Sequence, residues 1–109
     1  MSHAHTSQHQ LQDIVQRILS VHPRARIVLF GSRAHGSATA HSDYDLVVIT
    51  PDLRADEPPA ARVRKALRGV DASFDLIVLT PQEWESCRAV RGSVLRAAAD
   101  TGLVLHAAA

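Results

Sequence analysis

The stretch VLFGSRAHGSATAHSDYDLVVI, Val28 to Ile49, decides how the chain reads. An apolar run ends in Gly31, a polar segment follows, and Asp43 and Asp45 open a second apolar run that reaches Ile49. Both apolar runs are rich in β-branched residues and are expected to be buried strands. On a strand, residues two apart project from the same face, so Asp43 and Asp45 are expected to point together, near the Gly31 turn. Like charges that close repel and raise each other's pKa unless a cation lies between them. Oxygen ligands suit hard Mg²⁺, which takes one or two carboxylates plus substrate phosphates.

Gly31 permits a tight turn and lets a ligand approach without a Cβ in the way. If Ser32 opens a short helix, its amides favour an anion. A P-loop is excluded, because Gly36 is followed directly by Ser37 where that motif needs Gly-Lys. A third carboxylate, Asp75, interrupts the run Phe74 to Leu79. A charge in an apolar strand is costly unless paired or bound to metal. Should that strand lie beside the Asp45 strand, three carboxylates meet next to a phosphate-binding turn, an arrangement suited to two-metal phosphoryl transfer. Each feature has a plainer reading: Gly-Ser is a common turn, Ser-Asp a helix cap, and Asp75 fits a wetted sheet edge.

Outward from this stretch, apolar residues Leu11, Ile14, Val15, Ile18 and Leu19 recur at helical spacing until Pro23. Residues 1–10, with His3, His5 and His9, are expected to form a flexible tail, which leaves 11–109 as one domain. Ala61 to Val70 reads as an amphipathic helix whose wetter faces carry Arg62, Arg64, Lys65 and Arg68. Thr80-Pro81-Gln82-Glu83 is a helix start with a capping box. A helix to about Cys87, another from Gly92 to Asp100 and a short strand from Leu103 to Leu105 complete the chain. Strands alternating with helices predict an α/β fold, a mixed sheet of about four strands covered by helices.

Composition narrows the function. The chain has 109 residues, 46% of them apolar, and a net charge of +1, which argues against coating nucleic acid or anionic membrane. Cys87 is the only cysteine, so an intrachain disulfide and a cysteine zinc cluster are excluded, and it reads as an inert thiol. No apolar run approaches the roughly 20 residues of a membrane span. A soluble, cytoplasmic protein is expected.

Gly31-Ser32, ten residues, then Asp43-Tyr44-Asp45 resembles the signature of the nucleotidyltransferase superfamily that includes DNA polymerase beta. LFGSRAHGSATAHSDYDLVV is similar to the small bacterial branch, the minimal nucleotidyltransferase (MNT) domains, and the FDLIVLT segment resembles that branch's third-aspartate strand. The resemblance spans residues 11 to 106. It implies a polymerase beta palm-like fold, with Gly31, Ser32 and Arg33 on the triphosphate of a nucleotide, ATP by preference. It implies two Mg²⁺ ions on Asp43, Asp45 and Asp75, with Asp75 helping to deprotonate an acceptor hydroxyl. The branch commonly acts as the antitoxin of a HEPN-domain toxin, to which it can transfer AMP on a tyrosine. One position departs: His35 stands where the branch usually has arginine, which exchanges a permanent charge for a titrating one. His41 reads as a loop residue. Two other readings remain, a binding module that silences its partner by occlusion and a transferase acting on a small molecule or nucleic acid.

Overall fold

The computed structural model describes residues 3–31, 43–90 and 94–107. Helix α1 (His3–Val21) leads to strand β1 (Arg26–Phe30) and then β2 (Tyr44–Ile49). Helix α2 (Ala61–Ala66), strand β3 (Phe74–Leu79), helices α3 (Pro81–Arg88) and α4 (Val94–Thr101) and strand β4 (Leu103–His106) follow. The sheet order is β3-β2-β1-β4. β1 is antiparallel to β2 and to β4, whereas β2 and β3 run parallel in unbroken register from Tyr44↔Phe74 to Ile49↔Leu79. This is the expected mixed four-stranded α/β architecture.

Strand alternation sorts the apolar side chains into two cores. Ile27, Leu29, Tyr44, Leu46 and Val48 face Ile14 and Ile18 of α1 and Val63 of α2. Val28, Val47, Ile49 and Leu79 face Trp84 of α3 and Ala98 of α4. Helices therefore cover both faces, which accounts for the near-continuous apolar runs in β1 and β2. Gly102 joins α4 to β4 where no side chain fits: a Cβ there would lie 2.6 Å from Val28 Cγ1.

Two helix boundaries differ from the sequence reading. α1 begins at His3, not Leu11, since no proline or glycine interrupts the polar residues ahead of the apolar stripe. Gln10 belongs to the fold: its amide donates to Asp71 O at 3.2 Å and its Oε1 accepts from the Tyr44 hydroxyl at 2.6 Å. α2 ends at Ala66 rather than Val70. The next turn tightens, with Arg68 N donating to Lys65 O at 3.3 Å, and Gly69 takes a left-handed φ of 90°. Arg17 of α1 completes this terminus by donating to the carbonyls of Ala66 and Arg68, each at 3.0 Å. α3 starts as expected, with Glu83 N donating to Thr80 Oγ1 at 3.2 Å and Thr80 N to Glu83 Oε1 at 3.0 Å.

Candidate functional site

The carboxylates gather at the end of the sheet where β2 and β3 start and β1 finishes. Asp45 and Asp75 are direct register partners across the parallel pair, and Phe30 lies opposite Asp45 on the other side. Residues aligned across a sheet share a face, here the face covered by α3 and α4. Asp43 is exposed and stands one residue ahead of β2.

Gly31 closes β1 with a φ of 74°, the left-handed region that favours glycine. A second constraint comes from Asp45. A Cβ on Gly31 would run into Asp45 Oδ2 and stand 3.1 Å from its Cγ. The turn and the carboxylate are thus in mutual contact, and only glycine leaves room for that carboxyl group.

Burial separates the acids. Asp45 is half-buried, and its pKa is raised first by desolvation, then by the negative charges of Asp75 and Asp43. Asp75 is exposed, because β3 is an edge strand among the described residues. The burial cost expected of Asp75 therefore falls on Asp45 instead, while Asp75 contributes by its field. Six acidic residues, Asp13, Asp52, Asp56, Glu57, Glu85 and Asp100, are held in ion pairs with arginine. Glu83 serves the capping box. Among the described residues, Asp43, Asp45 and Asp75 have neither an ion pair nor a side-chain hydrogen bond.

This donor set fits a hard divalent cation: it is all oxygen, negatively charged and without a counter-ion among the described residues. Among the described residues no group of three or more His, Cys, Asp or Glu is arranged to hold a metal ion. Magnesium asks less of a protein, taking one or two carboxylates and completing its shell with water and substrate phosphate. Of the residues expected to bind nucleotide, Gly31 is described; Ser32 and Arg33 lie outside the described residues, as do His35 and His41. Sequence reasoning missed Phe30 as the β1 register partner of Asp45; its position directly before Gly31 was the available signal.

The sequence profile of the nucleotidyltransferase domain family matches residues 9–91. The chain belongs to this family. The nucleotidyltransferase domain also has likenesses among solved structures. A chain of a toxin–antitoxin complex with AMP-PNP aligns with a TM-score of 0.64 at 20% identity, over 89% of this chain and 73% of that one. A protein from Sulfolobus solfataricus assigned as a candidate nucleotidyltransferase gives 0.56 at 23% identity, over 86% and 75%. A chain of the Shewanella oneidensis complex of tri-AMPylated HEPN toxin with MNT antitoxin gives 0.57 at 19% identity, over 92% and 71%. At these identities the likenesses establish the fold. No curated protein matches the nucleotidyltransferase domain described here. Among the described residues, no helix is long and apolar enough to cross a membrane.

Proposed function

We propose that this nucleotidyltransferase domain transfers a nucleoside monophosphate, AMP from ATP, to a tyrosine hydroxyl of a partner HEPN-type toxin, and acts as its antitoxin. The observation that carries the chemistry is the in-register pair Asp45–Asp75 against Gly31, left without a cationic partner among the described residues. The choice of AMP, of a protein acceptor and of a toxin partner draws on the likeness to the two toxin–antitoxin complexes, one with AMP-PNP and one with an AMPylated toxin.

In this reading Asp43, Asp45 and Asp75 hold two Mg²⁺ ions, which supply charge neutralisation at the α-phosphate when bound. Gly31, with Ser32 and Arg33, receives the triphosphate, and the missing Cβ at Gly31 lets phosphate and carboxylate share one turn. Asp75 is the more open of the paired acids, and in this reading takes the proton of the attacking hydroxyl. The tyrosine oxygen forms its bond to the α-phosphorus as the bond to the bridging oxygen breaks, and pyrophosphate leaves in line. Holding the reactants in line contributes much of the rate. The domain is cytoplasmic in this reading, as its partner is.

The test is incubation with α-labelled ATP, Mg²⁺ and a co-expressed neighbouring HEPN-type protein, with an Asp43→Ala/Asp45→Ala control. Label on the partner that disappears in the control is the expected result. A stable, unlabelled complex formed equally well by the control would overturn the catalytic reading in favour of an occluding module.

A further inference from the structure

Three open grooves among the described residues carry charged side chains, and they differ in whether those charges are already satisfied. Between α3 and α4 a groove of about 360 Å³ is lined by Glu85, Arg88, Arg96 and Asp100. Its charges are spent internally in the pairs Arg88–Glu85 and Arg96–Asp100. Between α1 and α2 a groove of about 670 Å³ includes Arg17, Arg62 and Lys65. Here two of the three cations are taken by Asp13 and Glu57.

The third groove, about 270 Å³, lies between the C-terminal end of α2 and β3, and its balance is different. Arg64 and Arg68 stand over an apolar floor that includes Val70, Ala72, Phe74 and Leu76. Among the described residues no carboxylate lines it, and neither arginine forms an ion pair. Phe74 and Leu76 are only partly buried, although their strand-mates Tyr44 and Leu46 are fully covered. β3 is moreover the last strand of the sheet on this side, so its outer backbone N–H and C=O groups have no strand partner among the described residues. An unpaired edge, an apolar floor and two uncompensated cations thus lie side by side.

We infer that this groove and the free edge of β3 dock an extended segment of a partner protein by strand addition. Strand addition supplies main-chain hydrogen bonds, and alternate side chains supply selectivity. Residues i, i+2 and i+4 of such a segment face the groove, so these positions combine apolar with acidic side chains. The intervening positions fall on the Asp75 face and are uncharged, since acids there would meet Asp75. Single-stranded nucleic acid suits the surface less well: it calls for aromatic faces on which bases stack. Phe74, the only aromatic residue lining the groove among the described residues, is already stacked on Tyr44 with ring centroids 5.7 Å apart. This surface is independent of the transfer chemistry, and either assignment can fail without the other.

The probe is a fluorescein-labelled peptide repeating Ser-Val-Thr-Glu twice, read by anisotropy at low ionic strength. A Ser-Val-Thr-Lys peptide and an oligothymidylate of equal length serve as comparators. Saturable binding of the glutamate peptide alone is expected, with slowed amide exchange across Phe74–Leu79. The Arg64→Glu/Arg68→Glu variant weakens it by about tenfold. The Arg88→Glu/Arg96→Glu variant makes the same change in net charge on the other layer and leaves binding intact. Absent binding, equal loss in both variants, preference for the oligothymidylate, or unchanged exchange in β3 would each overturn the assignment.

Discussion

Replacing Gly31 by alanine strikes the candidate site through two separable forces. The first is conformational: at a φ of 74°, an L-residue costs about 1–2 kcal/mol relative to glycine. The second is steric: the new methyl group overlaps Asp45 Oδ2 and sits 3.1 Å from Cγ, so the carboxyl group must swing away. Its escape is narrow, because Phe30 flanks it on one side and Asp75 on the other. Forcing a side chain off its rotamer adds about 0.5–1.5 kcal/mol. The sum, about 2–3 kcal/mol, corresponds to a melting temperature lower by roughly 10–20 °C in a chain of this size. Thermal denaturation followed by circular dichroism measures it, and a double-mutant cycle divides it. In an Asp45→Ala background the carboxyl group is gone, and Asp45 Cβ was already at an ordinary 3.5 Å. Gly31→Ala should there cost only the conformational share, leaving a coupling of about 1 kcal/mol. An identical loss in both backgrounds would refute the claim that turn and carboxylate compete for one space.

Two further outcomes follow from buried and crowded charges. His22 is 1% exposed, neither ring nitrogen has a hydrogen-bond partner among the described residues, and its pKa is lowered by desolvation and then by Arg62, against smaller opposing effects of Asp52 and Glu57. Its unfolded form takes up a proton near pH 6.5 while the folded form resists, so stability should fall as pH drops below that value, by at most about 1.4 kcal/mol per pH unit. Urea titrations between pH 7.5 and 5 should show this slope and its loss in His22→Leu; a slope unchanged by that substitution would count against it. Asp52, whose pKa is held down by its hydrogen bond to Arg24, loses its contribution only below the ordinary carboxylate range, outside this window. Asp45 has the opposite sign: its raised pKa means that the ionised form costs stability above that pKa, a cost relieved as pH falls through it. Asp45→Asn should therefore melt higher than the parent at neutral pH without divalent cations, and gain nothing from added Mg²⁺. A lower melting temperature would contradict the crowding of charge.

Much of this was legible in the residues because single features carried strong local consequences. The β-branched runs fixed β1, β2 and β3 to within a residue, and Thr80-Pro81 with Glu83 announced α3. Asp45 and Asp75 were recognisable as misfits in apolar strands, yet their pairing depended on a parallel register between segments about 30 residues apart, which no local pattern encodes. The α2 boundary was misjudged because Arg68 and Val70 keep helical spacing, whereas the end is set by Gly69 and by Arg17 reaching across from α1. The early start of α1 was missed for a related reason: Gln10 is held by Asp71 and Tyr44, contacts distant in sequence. The assignment of burial cost to Asp75 rather than Asp45 failed because strand order, invisible in the sequence, places Asp75 at the sheet's margin.

The parallel ladder between β2 and β3 also works as a ruler. Adjacent strands stand about 4.8 Å apart for reasons of backbone hydrogen bonding alone. Asp45 and Asp75 occupy matching rungs, so the distance between their points of attachment is inherited from the sheet and not negotiated by side chains. Four further pairs, Leu46↔Leu76 to Ile49↔Leu79, hold that measure along the strands. Substitutions that leave the ladder intact can reshape the surface around the two acids while their spacing stays constant. A lineage built on this frame is free to change what it recognises without recalibrating where its charges sit.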